Sequence, residues 1–213
     1  MAIKEQKIMI VGCGPGAPEY LTPAARQAIA GAEVLIGARR LLELIPPDGR
    51  ERIAMGKDTE AILREIALRR GQRLAVLVTG DPGLYSLATP VLRRFGREAC
   101  ELVPGISAVQ TAFARLGLDW QEAFIISTHA AEPELDPARL SASGKIAILG
   151  GGKEFPRPLA SLLASMEDKD YRLFACEDLT LPEECVYEGT AAELAGRTLS
   201  TRAIILIVRK DLL

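Results

Sequence analysis

The chain has 213 residues, 48% of them hydrophobic, which is enough to bury a proper core in one large domain or two smaller ones and excludes intrinsic disorder. With 26 Lys and Arg against 28 Asp and Glu, the net charge of -2 offers no global basic field for a nucleic-acid backbone. No apolar run approaches the ~20 residues needed to cross a bilayer, and the opening MAIKEQK is too polar for a signal peptide, so a cytoplasmic protein without nucleic-acid or membrane partners is expected.

Short apolar runs bounded by Gly, Pro or charge predict strands over 7–11, 33–36, 52–55, 73–79 and 101–103. Between them, helical spacing predicts helices over 23–30, 59–70, 87–95 and 108–116. Alternation of strand and helix argues for a parallel sheet with helices on its faces. The polar break 117–121 (GLDWQ) marks an expected boundary, giving an N-terminal domain over 1–117 and a C-terminal one over 122–213. In the second, strands are expected over 123–127, 145–149, 171–176, 185–187 and 203–208, with helices over 156–166 and 191–194. Its last four elements are close enough together for antiparallel pairing, so a mixed sheet is expected.

Three loops follow strand ends. The first, Gly12-Cys13-Gly14-Pro15-Gly16-Ala17, formally satisfies a dinucleotide fingerprint. Such a site needs a helix starting inside the glycines and an acid on the ribose about 20 residues later. Here Pro15 and Pro18 oppose an early helix, Thr22-Pro23 is the first good helix start, and the second strand ends in Ile36-Gly37 without an acid. The loop suits a ligand that approaches bare backbone. The second loop, 79–86 (TGDPGLYS), has Gly80 and Gly83 for close backbone approach, Pro82 to set the turn, and Asp81 either to meet an ammonium or hydroxyl or to cap the next helix. The third, 103–108 (VPGISA), places Ser107 where it can cap a helix, contact a ligand, or do both.

Other chemistry is poorly supplied. Cys13, Cys100, Cys176 and Cys185 form no C-x-x-C pair, His129 is the single histidine, and zinc, haem and iron-sulfur sites are not expected. The thiols lie in or beside apolar runs and read as small core residues. Neither a P-loop nor a nucleophile elbow occurs.

The three loops, GCGPGAPEYLT at 12–22, TGDPGLYS at 79–86 and VPGISAVQ at 103–110, occur in this order in the tetrapyrrole methylases, which the chain resembles over essentially its whole length. IGARRLLE at 36–43, ARLGLDWQEA at 114–123, ISTH at 126–129 and CEDLTLPEECVYEGT at 176–190 resemble the subgroup acting on carbon 5. One departure is that His129 is followed by Ala130-Ala131, where members of the subgroup usually continue with Gly-Arg.

The resemblance implies two α/β domains, an N-terminal parallel sheet and a C-terminal mixed one, with S-adenosylmethionine in the cleft between them, and a homodimer. It implies methyl transfer to carbon 5 of a precorrin or cobalt-precorrin in corrin synthesis, alongside a carbon-15 methyltransferase/decarboxylase as functional partner. The family's cofactor contacts map onto Gly14 and Pro15, onto Gly80, Asp81 and Leu84, onto Ser107 and Ala108, and by strand position onto Leu149, Cys176 and the Arg202-Ala203 strand end. A polycarboxylate held by a slightly acidic protein needs local arginines, for which Arg39, Arg40 and Arg115 are candidates. His129 is the titratable candidate for a base if a proton must leave. The competing readings are another precorrin ring carbon, a nucleotide-dependent oxidoreductase, and a ligand-binding module without turnover.

Overall fold

A computed structural model describes residues 6–56, 58–128, 140, 142–150, 164, 166 and 170–213. The chain divides into two compact units, residues 1–107 and 108–213.

In the first unit, β1 (Ile8–Gly12), β2 (Val34–Gly37), β3 (Glu51–Ala54), β4 (Leu74–Val78) and β5 (Cys100–Val103) form a sheet in the order β3-β2-β4-β1-β5, every pair parallel. The run LAVLV of β4 is buried throughout, as a strand covered on both faces must be. Edge strands β3 and β5 expose residues instead. Alternation then sorts side chains between two cores: Ile8 and Ile10 pack with Val76 and Val78 on one face, while Val11 and Cys13 pack with Ala75 and Leu77 on the other.

Helices cover both faces. On the Val11 face lie α1 (Pro23–Gly31), through Ala25 and Ile29, and α2 (Arg39–Glu43), through Leu41 and Leu42. On the Ile10 face lie α3 (Thr59–Leu68), through Ile62, Leu63 and Ile66, and α4 (Ala88–Phe95), through Ala88 and Val91. Helix α1 starts where the sequence places it, with the Thr22 hydroxyl accepting from Ala25 N–H at 3.1 Å and Pro23 at its first position. Asp58 caps α3 in the same way, through Ala61 N–H at 3.1 Å.

Helix α2 was not expected, because five residues are too few to display a 3.6-residue period. Burial of Leu41 and Leu42 holds it, and the Arg52 guanidinium donates to the carbonyls of Leu42 at 3.0 Å and Ile45 at 2.8 Å, satisfying acceptors that a helix end leaves orphaned. Arg50 does the same at the end of α1, donating to the carbonyls of Ile29 and Ala32.

The second unit holds α5 (Ala108–Arg115), β6 (Phe124–Ser127), β7 (Lys145–Leu149), β8 (Tyr171–Glu177), β9 (Cys185–Glu188), α6 (Ala191–Gly196) and β10 (Ile204–Arg209). Its sheet runs β6-β7-β10-β8-β9, parallel between β6 and β7 and antiparallel elsewhere, so it is mixed as expected. Central β10 is buried from Ile204 to Val208. Helix α5 packs on β10 and groups with this unit, and the glycine break 117–121 falls inside the unit, between α5 and β6. Helix α6 opens with a capping box in which Thr190 and Glu193 satisfy each other's backbone N–H. The helix expected over 156–166 lies almost entirely outside the described residues.

Candidate functional site

Parallel strands deliver all their following loops to one edge of a sheet, and open α/β sheets bind ligands at that edge. In the first unit β1, β4 and β5 end in the three glycine-bearing loops, and β2 ends in Gly37, immediately before Ala38 and α2.

The loops meet at their glycines. Gly14 and Gly80 are both left-handed (φ +76° and +66°) and exchange two backbone hydrogen bonds, Gly80 N to Gly14 O at 2.8 Å and Gly14 N to Gly80 O at 3.3 Å. Cys13 N–H continues the ladder to Val78 O at 2.8 Å. A Cβ added to Gly12 would stand 2.7 Å from both Gly105 N and Gly80 O, and one added to Gly105 would stand 2.8 Å from the Gly12 carbonyl. In the first loop close backbone approach was expected to serve a ligand; at Gly12 it serves the neighbouring loops, and Gly105 is fitted against Gly12 in the same way.

Asp81 divides its carboxylate between two backbone donors, Gly83 N–H at 2.7 Å and Gly105 N–H at 3.0 Å. It does not cap α4. That end is served by Ser86, whose hydroxyl accepts from Ala88 N–H at 3.0 Å and donates to Pro82 O at 2.6 Å. Pro15 and Gly80 are buried, Leu84 is half-buried, and Ser107, 6% exposed, directly precedes Ala108 at the start of α5.

Arg40 reaches this edge from α2. Its guanidinium donates to the Thr79 hydroxyl at the mouth of the second loop, and its charge acts on the Cys13 thiol in the first. Arg39 is exposed. Arg115 is engaged differently: it makes a two-pronged pair with Glu184, 2.5 Å and 2.9 Å, which holds the Glu184 carboxyl below its ordinary range. Sequence reasoning missed both partners, Thr79 and Glu184, because only folding brings positions so far apart together.

In the second unit the residues mapped by strand position fall into one row. Leu149 of β7 and Cys176 of β8 both pair with Ile204 of β10, and the carbonyl of Ala203, just before it, accepts from Gly150 N–H at 3.3 Å. Ser127 extends the row through Leu149. Arg202, beside Ala203, pairs with Asp178 at 2.6 Å, and Asp178 also accepts from the Ser200 hydroxyl at 2.8 Å. Asp178 holds a left-handed backbone (φ 49°), so this network ties the strained β8 to β9 turn to the start of β10. His129 lies outside the described residues.

Over residues 7–195 the chain matches the family model of the tetrapyrrole (corrin/porphyrin) methylases. The chain belongs to the tetrapyrrole methylases. Among its relatives in this family is the cobalt-precorrin-7 C(5)-methyltransferase of Salmonella typhimurium, 34% identical over 181 residues that span 84% of this chain and 89% of the relative. The crystal structure of the precorrin-6Y methylase of cobalamin biosynthesis from Archaeoglobus fulgidus is 31% identical, with a TM-score of 0.72 over 95% of this chain and 97% of that one. The uroporphyrin-III C-methyl transferase from Thermus thermophilus, solved as a complex with S-adenyl homocysteine, shares the tetrapyrrole methylase fold at 20% identity and a TM-score of 0.73, covering 95% and 97% of the two chains.

The three buried thiols of this tetrapyrrole methylase, Cys13, Cys100 and Cys176, are poor nucleophiles. Burial pushes Cys13 and Cys176 from the ordinary 9.0 up to about 12, the Arg40 charge offsetting only part of the shift at Cys13. Cys13, Cys100 and Cys176 are buried as expected, whereas Cys185 is exposed because it lies on edge strand β9. Titration with a disulfide reagent is therefore expected to show Cys185 reacting at once and the other three only as the chain opens. The raised thiols also stabilise the fold fully below pH 9, where both states are protonated, and lose that contribution as pH rises from 9.0 towards about 12, because only the unfolded thiols ionise there. Denaturant midpoints measured across this range should fall, and the fall should shrink in Cys13→Ala and Cys176→Ala. Among the described residues no cluster of His, Cys, Asp and Glu could hold a metal ion, and no helix is long and apolar enough to cross a membrane.

Proposed function

We propose that the chain transfers a methyl group from S-adenosylmethionine to carbon 5 of a precorrin or cobalt-precorrin in cobalamin biosynthesis. The observation that carries the proposal is the joined set of strand-end loops in the first unit, together with 34% identity to a cobalt-precorrin-7 C(5)-methyltransferase.

The donor set suits S-adenosylmethionine. Gly14 and Gly80 spend their N–H groups on each other's carbonyls, and the second lone pair of each carbonyl is what they can offer to the ligand's ammonium or ribose hydroxyls. Pro15, Leu84, Ser107 and Ala108 complete the contacts we assign in these loops. In the row of Leu149, Cys176 and Ala203, half-buried Leu149 has apolar surface to offer the ligand, while Cys176 and Ala203 are buried and are assigned as the support beside it. When bound, the sulfonium supplies an activated methyl group.

The chain's own task is to hold two reactants in line and exclude water, from which ~7 to 11 kcal/mol of the barrier can come. Arg40, and Arg39 beside it, lie at the edge where the loops converge and are assigned to the carboxylates of the tetrapyrrole. Arg115 is the weaker candidate for that role, since Glu184 already takes both prongs of its guanidinium. His129 is kept as the candidate base, and a homodimer working beside a carbon-15 methyltransferase/decarboxylase in the cytoplasm completes the proposal. A dinucleotide oxidoreductase is disfavoured, because α1 begins only at Pro23 and β2 ends in Gly37 followed by Ala38 and Arg39, with no acid for a ribose.

The test is incubation with methyl-labelled S-adenosylmethionine and cobalt-precorrin-7, with the product read by mass and carbon NMR. Label at carbon 5 is expected. Label at another ring carbon would reassign the substrate, and NAD binding without any affinity for S-adenosylhomocysteine would overturn the reading altogether.

A further inference from the structure

We propose that Asp81 is a positioning residue that fastens the loop after β4 to the loop after β5, and that it acts on the methyl donor through those loops. Asp81 is half-buried, and each of its oxygens has a backbone partner: Oδ1 accepts Gly83 N–H at 2.7 Å and Oδ2 accepts Gly105 N–H at 3.0 Å. The first bond closes the turn in its own loop. The second reaches another loop, and since β1 lies between β4 and β5 in the sheet, it bridges the end of β1.

Gly12 is the residue beneath that bridge. A Cβ there would press on Gly80 O and Gly105 N at 2.7 Å, so the bridge closes only over a glycine. Gly105 is fitted from the other side, its added Cβ falling 2.8 Å from the Gly12 carbonyl and closer still to Gly80 O. Three glycines and one carboxylate therefore form a single joint that sets the spacing of all three loops.

The chemistry requires an aspartate. The two N–H groups meet different oxygens, so both oxygens must be acceptors, and hydrogen bonds to an ionised acceptor are roughly twice as strong as neutral ones. Asparagine has the same shape but would turn an NH₂ donor towards one of the two N–H groups, leaving a donor facing a donor. The joint thus separates two roles for the same side chain, shaping the cradle and touching what lies in it.

The ligand part of the test rests on the methyl-donor reading; the exchange part does not. Amide hydrogen exchange at Gly83 and Gly105 is measured by NMR in the ligand-free parent, in Asp81→Asn and in Asp81→Ala, and calorimetry gives affinities for S-adenosylhomocysteine and for 5′-methylthioadenosine, which lacks the amino-acid portion. Expected are slow exchange at both amides in the parent, exchange roughly tenfold faster at one amide in Asp81→Asn and at both in Asp81→Ala. Both ligands should weaken by a common factor, roughly tenfold to a hundredfold in Asp81→Ala and less in the isosteric Asp81→Asn. Should Asp81→Ala not fold, the one-amide signature in Asp81→Asn decides the matter. Unchanged exchange at both amides would overturn the proposal, as would loss of S-adenosylhomocysteine affinity with 5′-methylthioadenosine unaffected, because the carboxylate would then be meeting the ligand's ammonium. A parent that binds neither ligand would refute the methyl-donor reading and leave the exchange data to decide the joint.

Discussion

Gly105→Ala is expected to cost the protein both stability and methyl-donor affinity, although a single methyl is all that it adds. The new Cβ would stand 2.8 Å from the carbonyl carbon and oxygen of Gly12, and closer to Gly80 O. These are backbone atoms held by the Gly14–Gly80 pairing and the Asp81 bond, so no flexible side chain can swing aside. Overpacking of this kind costs about 1 to 3 kcal/mol, which in a chain of this size lowers Tm by roughly 2 to 12 °C. Parting the loops should also weaken S-adenosylhomocysteine at least tenfold, since an ångström of misplacement in a binding constellation is costly. Gly31→Ala is the control: it lies at the end of α1, its added Cβ meets nothing within 4 Å, and it should leave affinity unchanged while raising Tm slightly. Equal melting and binding in Gly105→Ala and the parent would show that the loops are not close-packed.

Arg40→Ala should raise the KM for the tetrapyrrole by roughly tenfold to a hundredfold, the effect of removing a charge-assisted contact worth about 1.5 to 3 kcal/mol. The bond to Thr79 holds the Arg40 guanidinium at the mouth of the second loop and so places its charge at the edge where the loops converge. Loss of the brace should weaken S-adenosylhomocysteine by only about threefold, because the Thr79 hydroxyl is half-buried and water can replace the guanidinium there. Arg40→Lys should restore charge without the planar fork and recover part of the KM. Raising the ionic strength should weaken substrate binding more in the parent than in Arg40→Ala, because a screened ion contact has gone. If KM stays constant while cofactor affinity falls, Arg40 serves the loop alone, and Arg39 becomes the next residue to replace.

Most elements were legible as local patterns. The run at Leu74–Val78 is apolar enough to announce a strand covered on both faces, and Thr22-Pro23 announces a helix start by the chemistry of two adjacent residues. Helix α2 was not legible, since its five residues show no period and depend on one arginine of β3, Arg52, for the carbonyls at their end. Cys185 read as a core residue because its neighbours are apolar, and is exposed because its strand lies at a sheet edge, a fact of strand order rather than of local composition.

The candidate site divides along the same line. Turn chemistry, glycine spacing and the missing ribose acid are properties of adjacent residues, so the sequence by itself determined that three loops follow strands, that they suit an approach to backbone, and that a dinucleotide is a poor fit. Which glycine faces which, that Asp81 spends its carboxylate on Gly83 and Gly105, that Arg40 meets Thr79 and that Arg115 is taken by Glu184 were decided only by the tertiary structure. Side-chain chemistry states what a group can bond to, but the partner is chosen by strand order, which places β1 between β4 and β5 and so puts Gly12 beneath a bond between residues 24 positions apart.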